Sequence, residues 1–106
     1  MTWLDVAAVD ELFEGASIAI APAGRDIALH CVEGVPFATD NVCTHGAGRL
    51  CEGFLEGHEI ECPLHQGRFD VRSGQPMGEP ATLPIRVYAA KVDGGRVWVD
   101  LEPAST

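Results

Sequence analysis

The chain has 106 residues, 46% of them hydrophobic and 22% charged, with a net charge of −9. That length and composition describe one globular domain that buries roughly two-thirds of its extended surface, not a disordered segment. The acidity argues against nucleic acid and anionic membrane as partners, since both attract basic surfaces. No run reaches the ~18 apolar residues needed to span a bilayer. The opening residues Met1-Thr2-Trp3-Leu4-Asp5 carry neither a basic n-region nor an apolar h-region, so a cytoplasmic protein is expected.

In chain order, Trp3 to Ala7 reads as a first strand, and Val9 to Leu12 as a single helical turn that Gly15 ends. Ser17 to Ala21 is a strand closed by Pro22 and Gly24. Asp26 to Val32 and Val35 to Thr39 form a hairpin across Glu33-Gly34. A smaller hairpin joins Gly53–Glu56 to Glu59–Glu61 across Gly57-His58, which is expected to be solvated. Phe69 to Val71 is a short strand, and Ser73 to Pro84, rich in Gly and Pro, an irregular loop. Ile85 to Val92 and Arg96 to Leu101 make a last hairpin across Asp93-Gly94-Gly95. Many short strands with frequent turn signals and no long helix define an all-β fold, an antiparallel sandwich or small barrel.

Two turns carry the chemistry. Cys43-Thr44-His45-Gly46 and Cys62-Pro63-Leu64-His65-Gln66-Gly67 give the pattern C-x-H … C-x-x-H. Two thiolates and two imidazoles suit one tetrahedral metal, or a two-iron cluster in which two His replace two Cys on one iron. A structural zinc pairs Cys with Cys and His with His at wider spacing, whereas each half-site here mixes the two. Cys31, in the apolar run Ile27–Val32, reads as a small buried hydrophobe; Cys51 has no evident role, and a Cys31–Cys51 disulfide stays open. His30, in the same run, reads as a hydrogen-bonded structural histidine. Gly46, Gly48 and Gly67 suit close backbone approach to a metal site, and Glu52, Glu56, Glu59 and Glu61 offer either a steering surface or a merely solvated face.

These two boxes resemble those of the Rieske-type [2Fe–2S] proteins. With Phe54-Leu55-Glu56-Gly57, Glu59-Ile60-Glu61-Cys62 and Gln66-Gly67-Arg68-Phe69-Asp70, the chain is similar to the ferredoxin components of bacterial aromatic-ring-hydroxylating dioxygenases, from about Trp3 to Leu101. The resemblance implies a Rieske-type antiparallel β-sandwich, with a cluster-binding subdomain at about 42–82 carrying two ligand loops and a basal sandwich at 2–41 and 83–102. It implies that Cys43 and Cys62 bind one iron and His45 and His65 the other, that Gly46 and Gly67 lie close to the cluster, and that Pro80 belongs to a loop covering it.

The same resemblance implies a one-electron carrier and not an enzyme. Such a protein takes electrons from an NAD(P)H-dependent flavoprotein reductase and hands them to a Rieske terminal oxygenase through transient contacts, as a monomer. A Rieske-like small subunit of a nitrite reductase, an iron–sulfur sensor or assembly factor, and a zinc module are the alternatives. High-potential Rieske proteins place Ser and Tyr donors where this chain has Gly67 and Phe69, and add a disulfide that Leu64 rules out here. Fewer donors to the cluster imply a midpoint near the lower end of the class's range of about −150 to +300 mV. Metal-bound imidazoles with free N–H groups imply a potential that falls in alkaline solution.

Overall fold

Short β-prone runs separated by Gly, Pro and Asp-Gly signals fold into ten strands among the described residues. The computed structural model describes residues 3–42, 48–64, 66–78 and 83–101. Before the first Cys/His pair come β1 (Trp3–Ala8), β2 (Ser17–Ile20), β3 (Ile27–Val32) and β4 (Val35–Asp40). Between the pairs lie β5 (Phe54–Glu56) and β6 (Glu59–Glu61); after them come β7 (Arg68–Asp70), β8 (Pro76–Gly78), β9 (Val87–Asp93) and β10 (Arg96–Asp100). One sheet has the order β1-β10-β9-β4-β3-β2, the other β5-β6-β7-β8, and every pairing is antiparallel. The all-β antiparallel fold read from the sequence is the one observed. The described helical segments are single 3-10 turns at Val9–Glu11, Pro22–Gly24 and Leu50–Glu52.

The β3–β4 hairpin shows how local chemistry sets register. Glu33 and Gly34 both take left-handed φ, 54° and 75°, the geometry of a tight turn whose twist matches its flanking strands. Left-handed backbone costs a non-glycine residue about 1 kcal/mol. The Glu14 carboxylate offsets that cost by accepting the Glu33 and Gly34 N–H groups at 2.7 and 2.9 Å.

β3 is buried along its whole length because each of its faces meets a different core. Ile27 and Leu29 pack with Ala38, Tyr88, Val97 and Val99 inside the curl of the larger sheet. Ala28 and Val32 point the other way, to Leu50, Ile60, Phe69 and Val71 of the smaller sheet and its connections. A strand buried on both sides reads as a continuous apolar run, which Ile27–Val32 is. This shared strand is what fixes the smaller sheet against the larger.

His30 interrupts that run without leaving a polar atom unpaired. It is fully buried. The Thr39 hydroxyl donates to the Asp40 carbonyl at 2.9 Å, so it accepts from His30 Nε2–H at 2.9 Å. That leaves Nδ1 to accept from the Ser17 hydroxyl at 2.6 Å. The neutral tautomer is thus fully satisfied, as the structural reading of His30 requires.

Three expectations need correction. The stretch 73–84 is not irregular throughout, since Pro76–Gly78 pairs with β7 at the edge of the smaller sheet, where a proline leaves no ladder bond unmade. The last hairpin begins at Val87 and not Ile85, because the Ile85 N–H donates to the Gly74 carbonyl instead of joining the ladder. His58 is not solvated. It is half-buried with its ring edge-on to Phe37 of β4, centroids 5.5 Å apart, and its carbonyl accepts the Val71 N–H at 2.8 Å. Cys31 and Cys51 are free thiols, the first buried and the second half-buried.

Burial lowers the His30 pKa from 6.5 to about 4. Between those two values the unfolded chain binds a proton that the folded chain excludes. The contribution of neutral His30 is therefore complete above pH 6.5 and is lost as pH falls towards 4, at up to about 1.4 kcal/mol per pH unit. Urea unfolding at pH 7, 6 and 5 should show a steeper loss for the native chain than for His30→Gln. Equal pH slopes in the two proteins would contradict the buried neutral imidazole.

Candidate metal centre

The second Cys/His turn is the connection between β6 and β7. Cys62 N–H donates to the Gly67 carbonyl at 2.7 Å, which closes the turn at its base. Pro63 presets one φ angle within it, and Gln66 takes the left-handed position at φ 59°. Cys62 is 0% exposed and packs with Leu50, Ile60 and Phe69, while Pro63, Leu64 and Gln66 face solvent. The turn therefore seals one sulfur from water and turns its outer residues to the surface.

The first Cys/His loop springs from a closed base. Val42 and Arg49 form an isolated antiparallel bridge, and the Leu50 N–H donates to the Asn41 carbonyl at 2.6 Å. At the loop's exit Gly48 lies directly on the second turn. A Cβ at that position would stand 2.5 Å from Cys62 Sγ and 3.2 Å from Leu64 Cβ. Glycine is needed there for close approach, and the two loops meet at that point.

The third loop is anchored beside the same turn. β8 pairs with β7 at Arg68↔Gly78 and Phe69↔Pro76. On the far side of the loop, the Ile85 N–H donates to the Gly74 carbonyl at 2.9 Å. Gly74 has φ 79°, and a Cβ there would collide with the Ile85 carbonyl. Asp70 stiffens the preceding bend: its carboxylate accepts from Arg72 Nη2 at 2.8 Å and Nε at 3.1 Å. The Arg72 guanidinium in turn holds the Asp70 carboxyl below the usual carboxylate range.

Of the residues singled out in the sequence, Cys62, Gly48 and Gly67 are placed by these contacts. Cys43, His45, Gly46, His65 and Pro80 lie outside the described residues. Among the described residues no three Cys, His, Asp or Glu side chains converge as a metal site. Of the four glutamates between the boxes, Glu56, Glu59 and Glu61 share one cation, Arg68 of β7, at 3.2, 3.5 and 2.9 Å. Hydrogen bonds that it donates to Glu56 and Glu61 raise the pKa of that guanidinium. Asn41, unmarked by any sequence motif, is fully buried at the root of the first loop.

A two-iron cluster fits this setting on chemical grounds. A thiolate at Cys62, shut away from water in an apolar cluster, is stable only against a compensating cation. Gly48, at the exit of the loop that enters at Val42, lies on that sulfur, and the sequence of the two turns carries two Cys and two His, the donor types that distinguish Rieske centres.

Residues 2–89 match the Rieske [2Fe-2S] domain, and the chain belongs to that family. It is 52% identical over 99 residues to the ferredoxin component of the naphthalene 1,2-dioxygenase system of Pseudomonas aeruginosa, covering 93% of this chain and 95% of that one. Its fold superposes on the ferredoxin of carbazole 1,9a-dioxygenase from Nocardioides aromaticivorans with a TM-score of 0.91 at 36% identity, over 96% of this chain and 100% of that one. A complex of reduced oxygenase and oxidized ferredoxin in carbazole 1,9a-dioxygenase contains a chain equally similar, at TM-score 0.91 and 36% identity over 98% of this chain and 97% of that one. A chain described as a nitrite reductase small subunit is 19% identical with a TM-score of 0.82, over 94% of this chain and 99% of that one, a likeness of fold alone.

Gly48→Ala tests the meeting of the loops. Overpacking of this kind costs about 1–3 kcal/mol, and here it pushes the first loop off Cys62. The variant should keep its far-UV circular dichroism but lose bound iron and sulfide on purification. Full iron content with unchanged thermal stability would show that the close approach has no bearing on the site.

Proposed function

We propose that this chain is the ferredoxin component of an aromatic-ring-hydroxylating dioxygenase system. It is an electron carrier and not itself a catalyst. The observation that carries the reading is its near-full-length likeness, at about half identity, to a naphthalene dioxygenase ferredoxin. The nitrite reductase reading has only a shared fold behind it, and a zinc module has no support in the donor pattern.

In this reading Cys43 and Cys62 hold one iron and His45 and His65 the other. Residues 42–82 form the cluster-binding part, set on a base made by 2–41 and 83–102. When bound, the cluster accepts and releases one electron at a time. The chain holds it, shields the Cys62 side with Leu50, Ile60 and Phe69, and brings the Gly46 and Gly67 backbone close. The loop containing Pro80, rooted at Gly78 and Ile85, keeps water off the other side. No side-chain hydroxyl donor comes from Gly67 or Phe69, which keeps the potential low.

Electrons arrive from an NAD(P)H-dependent flavoprotein reductase and leave to the Rieske centre of a terminal oxygenase. Each contact is transient, of the small interface size that suits fast exchange. The carrier works as a monomer in the cytoplasm, without nucleic acid or membrane. No helix among the described residues is long and apolar enough to cross a membrane.

Stopped-flow mixing of the dithionite-reduced protein with an oxidised naphthalene-type terminal oxygenase tests the proposal. Reoxidation of one electron per chain is expected, at a rate that changes with ionic strength because this chain carries a net charge of −9. Failure to reduce any aromatic-ring oxygenase, together with stable co-purification with a nitrite reductase catalytic subunit, would replace it.

A further inference from the structure

The root of the first loop contains a fully buried polar side chain, Asn41 (0% exposed). A buried carboxamide is costly unless each of its groups is paired, and here each is. Its Oδ1 accepts the Cys51 N–H at 2.8 Å. Its Nδ2 donates to Asp26 Oδ1 at 2.9 Å and to Cys51 Sγ at 3.4 Å. The orientation of the amide is fixed by its partners, because a backbone N–H can only donate and a carboxylate can only accept. The Asn41 backbone is engaged as well: its N–H donates to the Asp26 carbonyl at 3.2 Å, and its carbonyl accepts the Leu50 N–H.

One residue thus joins three segments. Asp26 immediately precedes β3, Asn41 stands at the entry of the first loop, and Leu50 and Cys51 at its exit. Arg49 adds a clamp from outside, its Nη2 donating to the same Asp26 oxygen at 3.1 Å. The Asn41 hydrogen bond is the main reason the Asp26 carboxyl sits below the usual carboxylate range. From this root the exit segment 48–51 reaches the second turn. Leu50 packs in the apolar cluster that holds Cys62, and Gly48 lies on its sulfur. A shift of the root would move the first loop relative to the second.

We propose that Asn41, braced by Asp26 and Arg49, is the positioning residue of the first ligand loop. By pinning both ends of the segment 42–49 it sets Cys43 and His45 at the separation from Cys62 and His65 that one two-iron cluster requires. This rests on the reading of those four residues as the ligands. Asn41 touches neither iron nor sulfide and acts through the loop it closes.

The test compares the native chain with Asn41→Asp, Asp26→Asn and the double exchange of the two, all purified anaerobically. Asn41→Asp keeps the acceptor for Cys51 N–H but loses the donor and sets a second carboxylate against Asp26. The double exchange restores a donor–acceptor pair in reverse. Iron release to a ferrous chelator, EPR line shape and far-UV circular dichroism are read on each. Outer partners of metal ligands typically tune binding by about 10- to 100-fold.

Asn41→Asp should therefore release iron at least about tenfold faster with a broadened EPR signal, and the double exchange should recover most of the loss. If Asn41→Asp does not fold, Asp26→Asn, whose site is half-exposed, should show the same acceleration in smaller measure. Native release rates and line shape in both single variants would overturn the proposal. So would a double exchange no better than Asn41→Asp in a folded protein. A native chain without two irons would instead overturn the ligand reading itself.

Discussion

The structure depends on the approach of the Gly48 backbone to the Cys62 sulfur. Two loops can share one metal centre only if they meet at a fixed distance, and at Gly48 the close approach is allowed by the absence of a side chain. Any Cβ at position 48 would stand 2.5 Å from the sulfur, well inside contact. The rest of the molecule brings that pair together and keeps water out. The second turn is closed by its own Cys62–Gly67 hydrogen bond, and the first by the Val42–Arg49 bridge. Interiors are close-packed and deform little, so anchoring each loop at its root fixes the gap between them.

The division into two sheets serves the same end. β3 gives one face to the curl of the larger sheet and the other to Leu50, Ile60 and Phe69, the residues that enclose Cys62. The smaller sheet therefore completes its own core with one face of β3. Phe37 and His58 extend this attachment at the other end of the hairpin, ring edge against ring face. An electron carrier benefits from such rigidity, because little rearrangement accompanies the change of charge at its centre. The surface can meanwhile stay acidic, with Arg68 gathering three glutamates on one face and leaving a net negative patch.

Much of this was legible in the sequence because its signals are local. Alternation with Gly, Pro and Asp-Gly punctuation locates nine of the ten described strands, and the mixed Cys/His boxes carry the resemblance to Rieske proteins. What escaped depends on tertiary contact. Pro76–Gly78 reads as a loop because its Gly and Pro are loop residues; only pairing with β7 at a sheet edge makes it a strand. His58 reads as a solvated turn residue until the fold places Phe37 beneath it. Asn41 follows an aspartate at a strand end and gives no sign that it will be buried, since its partners lie 15 residues before it and 10 after. The left-handed site in the second turn also falls on Gln66, beside the glycine that would have been the natural choice.

The role of this chain as an electron carrier stands on a Rieske-type cluster. Low-temperature EPR of the anaerobically purified, dithionite-reduced protein, with iron and acid-labile sulfide assayed on the same sample, tests it most directly. The expected result is a rhombic Rieske signal with about two irons and two sulfides per chain. A colourless, EPR-silent protein carrying one zinc would contradict it and remove electron transfer from the account.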